Sequence, residues 1–236
     1  MSHSGLMRLP PFHGRVLEAV LPVCDGYGLV LAGGYAIRAH GFTDRPSQGL
    51  QFATAAEIPL PSVAEGVVGA CGAAGLAASV VELMPRMGRL VVRDVETGEK
   101  CGFGLLREAL RQRPVTCGPV KVLGLDDAVG LKMRALHERG LVRDVIDVAS
   151  VAGTYSCREL EQLAVAHHER FSLDELLVRL EFVDMMDDAA FEDYGVGEER
   201  IREIRLFAQS WVEDIKLRRV EDGDAEHDDP DLPGID

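Results

Sequence analysis

The stretch from Gly33 to Thr54, GGYAIRAHGFTDRPSQGLQFAT, constrains the fold of this chain more than any other segment. It follows a short apolar run, Gly28 to Ala32, of the kind that forms a buried strand. The glycine pair lets the backbone turn sharply and approach a ligand closely, and residues 35–40 fit a short helix. Turn-forming residues at 44–47 then lead into a second strand at 50–53. This order predicts a compact α/β unit with a glycine turn at its centre.

The rest of the chain divides into a strand-rich part and a helical part. Residues 62–78, rich in Ala and Gly, predict a helix packed closely on a sheet. Strand-like runs follow at 79–84, 89–94 and 101–106, and the last two flank a Glu-Thr-Gly-Glu turn typical of a hairpin. Residues 114–122 are expected to be a loop with a short extended segment. We therefore predict an α+β chain made of a mixed sheet with helices, a helical half and an acidic tail, at residues 1–124, 125–218 and 219–236.

Charge is distributed unevenly along the chain. The net charge is −14, and residues 221–236 hold eight carboxylates with no Lys or Arg, which leaves about −6 for the remainder. Such a tail is too polar and self-repelling to fold alone. It is either a solvated tail that aids solubility or a mimic of nucleic acid that guards a basic groove. The chain shows no broad basic face, so non-specific duplex binding is disfavoured, and a local basic pocket stays open.

The five cysteines are scattered and form no C-x-x-C pair, which predicts reduced thiols rather than a disulfide framework or a zinc site. The adjacent His167 and His168 have no partner at metal-ligand spacing. No apolar run reaches the roughly 18 residues of a membrane span, and the N-terminal residues lack the apolar core of a secretory signal. We therefore expect a cytoplasmic protein with no membrane contact and no resident metal.

Aromatic residues of the helical half are expected in its core. Residues 201–217 carry an amphipathic stripe at helical spacing. The aromatic side chains predicted to pack inside are those of Phe182, Phe191, Tyr194, Phe207 and Trp211.

Four segments, taken in order, resemble a known family. They are LAGGYAIRAHGFTDRPS (31–47), RLVVRDVETGE (89–99), VLGLDDAVGLKMRALHERGLVRDVIDV (122–148) and FEDYG (191–195). The chain is similar to the AbiEii/AbiGii nucleotidyltransferase toxins, which include the MenT-like proteins, as far as about Leu217. The resemblance implies a nucleotidyltransferase fold with a helical C-terminal half. It also implies transfer of a nucleoside monophosphate from an NTP to an acceptor, tRNA in some members, and an antitoxin as partner.

That reaction develops charge on the α-phosphate and on the leaving pyrophosphate, and two magnesium ions commonly hold both. Magnesium requires hard oxygen ligands, which carboxylates on neighbouring strands supply. The family pattern places these carboxylates at Gly49, Gln51 and Gly104 of this sequence. All three carboxylates are absent here, so the resemblance implies a metal site that has degenerated.

Other positions keep the residue type that the family pattern asks for. Gly33, Gly34 and Ser47 match the nucleotide cradle, Lys132 matches a lysine near the phosphates, and Asp144 matches a later acidic position. Each has a plainer interpretation as well. Lys132 suits the surface of an amphipathic helix, Asp144 suits a helix N-terminus, and Ser47 suits a turn.

Two hypotheses follow. The first is a degenerate nucleotidyltransferase, a pseudoenzyme that binds nucleotide or a protein partner such as an antitoxin and needs no metal. The second is an active toxin that uses NTP and Mg²⁺ through an altered metal site and modifies tRNA or another acceptor. In the second case Asp44, Asp94 or Glu96 would replace the missing ligands.

Overall fold

The computed structural model of the chain describes residues 9–221. In this part, seven strands form one mixed sheet in the order β3-β4-β5-β2-β1-β7-β6. Strand β1 runs antiparallel to β2 and parallel to β7, and β2 runs parallel to β5. The strands are β1 (Val30–Ala32), β2 (Gly49–Thr54), β3 (Leu76–Leu83), β4 (Met87–Asp94), β5 (Lys100–Arg107), β6 (Val115–Cys117) and β7 (Val120–Val122).

Helices precede, interrupt and follow the sheet. Helices α1 and α3 pack on each other and on the sheet, α2 links β1 to β2, and α4 packs against α2. The helices are α1 (Pro11–Cys24), α2 (Gly33–Ala39), α3 (Leu60–Ala73), α4 (Leu125–Arg139), α5 (Val142–Ser150), α6 (Cys157–His167), α7 (Leu173–Glu181), α8 (Asp188–Glu192) and α9 (Glu198–Glu221), with a 3-10 turn at Phe182–Met185. The predicted α+β class is confirmed.

Two local predictions need correction. The helix expected over 62–78 ends at Ala73, because Gly75 takes the left-handed conformation (φ +75°) and turns the chain into β3. The extended segment expected within 114–122 is a hairpin of two three-residue strands, and its second strand joins the sheet beside β1. Strands this short are set by the neighbour they pair with, so residue periodicity does not reveal them.

The core continues into the helical half, where Trp211 is fully buried and donates from Nε1 to Oε1 of Glu161 at 2.9 Å. Phe191 is buried as predicted, and Phe207 and Tyr194 pack partly buried against the core. The prediction for Phe182 is wrong, since its side chain lies on the surface.

Helix α9 includes residues 219–221, and the rest of the predicted acidic tail lies outside the described residues. The same holds for residues 1–8. Across residues 9–221, no helix combines the length and the apolar character needed to cross a membrane.

Candidate functional site

The glycine turn between β1 and α2 is shaped by two side chains that reach it from elsewhere. Gly33 has φ +66°, and a Cβ atom added there would lie 2.6 Å from Oε1 of Gln51. A Cβ atom on Gly34 would lie 2.8 Å from Nη2 of Arg45. Both distances are shorter than a side chain tolerates. The backbone conformation at Gly33 favours glycine, and the absence of a side chain at Gly34 leaves room for the guanidinium group of Arg45.

Two of the three positions expected to carry metal ligands lie side by side. Gln51 on β2 is in register with Gly104 on the parallel strand β5. A Cβ atom on Gly104 would lie 3.3 Å from Cγ of Gln51, so the two positions share one face of the sheet. The side chain of Gln51 therefore contacts Gly33 on one side and Gly104 on the other, over the face where the resemblance places the metal.

The third position, Gly49, has no room for a side chain. It pairs with Gly102 of β5, and a Cβ atom on Gly49 would overlap the carbonyl oxygen of Gly102. The hydroxyl of Ser47 donates to the carbonyl oxygen of Gly49 at 3.0 Å, which fixes the entry into β2. In this structure Ser47 stabilises the turn, and position 49 cannot project a carboxylate without moving β2 away from β5.

Lys132 lies in a buried ion-pair network rather than on the surface. Its Nζ is 2.7 Å from Oδ2 of Asp147 and 3.9 Å from Oδ1 of Asp144. Arg45 donates from Nε and Nη2 to the same carboxylate of Asp147, at 2.6 and 2.5 Å. Arg139 donates in the same two-pronged way to Asp144, at 2.7 and 2.9 Å. Three cations thus share two carboxylates, and we call these five residues the ion-pair network.

Three members of the ion-pair network, Asp147, Arg45 and Arg139, are held in their charged forms. Burial opposes ionisation of Asp147, but Lys132 and Arg45 outweigh it and hold its pKa below the ordinary value. Burial likewise lowers the pKa of Arg45, and the hydrogen bonds to Asp147 more than compensate, so the net shift is upward. The hydrogen bonds to Asp144 raise the pKa of Arg139 despite its burial.

The ion-pair network touches the glycine turn through Arg45. The guanidinium group of Arg45 packs on Gly34, and its Cζ lies 5.5 Å from the centroid of the Tyr194 ring. The sequence pattern assigns Arg45 only to a turn and gives Asp147 no role. No local pattern could reveal their bond, because 102 positions separate the two residues along the chain.

The sheet face beside Gln51 carries basic side chains. Gly104 is in register with Arg89 of β4, and Lys100 of β5 is in register with Arg93. All three basic residues are exposed, and Arg89 pairs with Glu82 at 2.5 Å across the neighbouring strand. The row that contains Gln51 and Gly104, where the resemblance places two carboxylates, therefore runs from a carboxamide through a glycine to an arginine.

Magnesium does not fit the residues present. Within residues 9–221, no group of three or more His, Cys, Asp or Glu side chains is arranged to hold a metal ion. Asp94 accepts hydrogen bonds from the backbone N–H groups of Glu96 and Thr97 and from Arg15, so it stabilises the β4–β5 turn. Asp44 lies in solvent, 3.9 Å from Arg38. Neither replaces the missing ligands in this structure.

Two solved structures from Helicobacter pylori share the fold of this chain. One is JHP933, which is 17% identical and aligns over 93% of this chain and 100% of its own length with a TM-score of 0.52. The other is described as a candidate nucleotidyltransferase; it is also 17% identical, and it aligns over 88% of this chain and 96% of its own with a TM-score of 0.53. At this identity the matches show the fold alone.

The toxin MenT4 from Mycobacterium tuberculosis, described as a nucleotidyltransferase, is 15% identical and aligns over 89% of this chain and 99% of its own. Its TM-score is 0.44, which is too low to show a shared fold. No family model matches the chain, and a search of curated proteins gives no match. The two Helicobacter pylori structures show that the chain has a nucleotidyltransferase fold, which confirms at the level of the fold the resemblance stated from the sequence.

Proposed function

We propose that this chain is a nucleotidyltransferase-fold pseudoenzyme that binds a nucleotide on the open face of its sheet without a metal ion and without transferring it. The row Gln51–Gly104–Arg89 carries this proposal, because it lies where the resemblance places the metal ligands. A carboxamide and a glycine cannot replace two carboxylates around magnesium.

The positive charge beside this row favours direct binding of a phosphate group, without a metal ion between them. In metal-dependent transfer, magnesium neutralises the phosphates and activates the attacking oxygen. Here Arg89, Arg93 and Lys100 lie exposed on adjacent strands and offer positive charge to a triphosphate. The Arg89–Glu82 pair is on the surface, and such pairs cost little to exchange for a phosphate. These groups can bind an anion, but they cannot activate an acceptor.

The residues expected to take part in catalysis are engaged elsewhere. Lys132 is 2.7 Å from Asp147, and Asp144 is held by both donors of Arg139. A lysine that compensates a buried carboxylate is not available to a phosphate, and both oxygens of the Asp144 carboxylate are already bonded to arginine. This pairing favours a structural role for both residues over the active-toxin alternative.

The test separates binding from transfer. Purified protein is titrated with ATP, GTP, CTP and UTP by calorimetry, with and without EDTA. The same protein is incubated with α-labelled NTPs, Mg²⁺ or Mn²⁺ and total tRNA. We expect binding of at least one NTP that EDTA leaves unchanged, and no label on tRNA or protein.

Variants locate the binding face. Arg89→Ala and Arg93→Ala should each weaken NTP binding by about tenfold, because each removes a charge-assisted contact. Arg158→Ala, which removes an exposed arginine of α6, should bind as the parent does. Label transfer by the parent protein that disappears in Lys132→Ala, with the variant shown by circular dichroism to be folded, would establish the active toxin instead. Absence of NTP binding would overturn the nucleotide proposal and leave a protein partner, such as the antitoxin that the resemblance implies.

A further inference from the structure

A stripe of large apolar side chains lies exposed along α7 and the 3-10 turn that follows it. The exposed fractions are 61% for Val178, 58% for Phe182 and 77% for Met185. Their spacing of four and then three residues places them on one side of the helix. Leu180 and Val183, on the opposite side, are buried in the core. The helix is therefore apolar on two sides, and the core covers only one of them.

Helix α9 packs beside α7 and holds the stripe in a defined position. The polar residues next to the stripe pair with side chains of α9 in a continuous row, so the stripe lies on a braced pair of helices and not on a loose element. The pairs are Arg219 with Asp174, Lys216 with Glu181 (2.6 Å), Gln209 with Asp184 (2.9 Å) and Arg205 with Asp188 (2.6 Å).

Beyond this row, α9 itself exposes Leu206 and Leu217. A surface of exposed large apolar residues on two braced helices is unusual for a monomer, because such patches normally mark an interaction site.

The charge around the stripe restricts what covers it. Residues 173–188, which carry the stripe, hold six Asp and Glu against one Arg, and the three cations of α9 that pair with them leave this surface acidic. An anionic membrane surface and a nucleic acid would both be repelled by this surface. A second copy of the chain would bring the same negative charge against it. A ligand that fits must be apolar at the centre and basic at the rim.

We propose that the stripe of Val178, Phe182 and Met185 is a docking surface for a basic amphipathic helix of a partner protein. Anchors spaced at i, i+4 and i+7 match the apolar face of such a helix, and lysine or arginine on its flanks would meet the acidic rim. The surface lies on α7 and α9, apart from the basic sheet face, so this inference does not depend on the nucleotide proposal.

A model ligand tests the inference. The probe is a fluorescein-labelled 18-residue peptide of Leu and Lys with leucines at helical spacing, and its control is a scrambled peptide of the same composition. Fluorescence anisotropy is measured with the full chain at two salt concentrations. We expect saturable binding of the helical peptide, at least about tenfold tighter than that of the scrambled peptide, because only aligned leucines bury together.

Variants show whether the stripe is the site. Phe182→Ser and Met185→Ser should each weaken peptide binding by about tenfold, since each removes a large apolar contact. Val165→Ser, an equally exposed apolar residue on α6, should bind as the parent does. Circular dichroism and thermal melts confirm that the variants are folded.

Several outcomes would overturn the inference. Equal binding of the two peptides would mean that the protein attracts their lysines by charge alone and does not recognise the apolar face of a helix. Binding that survives both serine variants would place the site elsewhere. Self-association in sedimentation that Phe182→Ser abolishes would identify a second copy as the occupant, and stripe-dependent binding to vesicles of anionic phospholipid would identify a membrane. Failure of the helical peptide to bind at all would also reject the proposed docking surface.

Discussion

The ion-pair network and the Gln51–Gly104 row adjoin the same glycine turn, yet they differ in the number of charged side chains they contain. The network keeps five charged groups, all paired and largely buried. The row has none of the carboxylates that the resemblance places there. The network charges compensate one another inside the fold, so removing one harms the structure. Carboxylates around a metal repel one another until the metal binds, so the fold tolerates their loss. A charged residue near a site is therefore not by itself evidence of chemistry at that site.

The largest expected effect is in the network. Asp147→Ala leaves Lys132 and Arg45 buried without their counter-ion, which should cost about 3–5 kcal/mol of the free energy of unfolding. Chemical denaturation measures it. The control is Asp44→Ala, which removes a fully solvated carboxylate and should change stability by less than about 0.5 kcal/mol. Equal effects of the two substitutions would show that the network is not structural.

Next in size is the effect of a side chain at the start of β2. Gly49→Asp forces a Cβ atom into the carbonyl oxygen of Gly102, and overpacking of this kind should cost about 1–3 kcal/mol or more. Gly104→Ala, whose Cβ atom would meet Gln51 at 3.3 Å, should cost less. Thermal unfolding of the two variants compares them directly. A stable Gly49→Asp protein would show that β2 and β5 can separate.

Acidification should reduce the contribution of the ion-pair network to the free energy of unfolding over a defined pH range. The pKa of Asp147 is lowered in the folded chain, so its ion pairs contribute fully above the unfolded value of about 3.9. That contribution is lost as the pH falls through the lower folded pKa. Unfolding free energy measured from pH 7 to pH 2 should therefore fall below about pH 4. In Asp147→Asn this part of the fall should be missing; an identical profile in both proteins would contradict the assignment.

The smallest expected effect is a gain of affinity for magnesium. Gln51→Asp with Gly104→Asp places two carboxylates side by side on adjacent parallel strands, in a space freed by the shorter side chain at 51. We expect weak magnesium binding, with a Kd of about 1 mM, measured by calorimetry. Adding Gly49→Asp should reduce folded protein rather than raise affinity. If the double variant binds no magnesium, these two positions do not form the degenerate metal site.

The sequence revealed the parts of the fold that depend on local pattern. The glycine turn, the strands at 89–94 and 101–106 and the amphipathic α9 follow from residue spacing and turn chemistry. The resemblance placed Gln51 and Gly104 in the same expected site, and they are neighbours in the sheet. Whether that site once held metal stays a prediction.

What the sequence could not reveal depends on pairings between distant segments. The bond between Arg45 and Asp147 has no local signal in the sequence, and neither does the contact between Lys132 and Asp147. The lack of room at Gly49 arises from the approach of Gly102, some fifty residues later. The exposure of Phe182 follows from the side of α7 that the core covers, which composition alone does not decide.

The bond between Arg45 and Asp147 also has a consequence for the order in which the chain is made. The guanidinium group of Arg45 belongs to the sheet half but finds its counter-ion 102 residues later, on α5. Synthesis at about 5–20 residues per second leaves the nascent sheet without that partner for about 5–20 seconds. During this interval the sheet half is expected to stay incompletely packed around the glycine turn. The newborn protein therefore completes the packing around its glycine turn only after α5 has been synthesised.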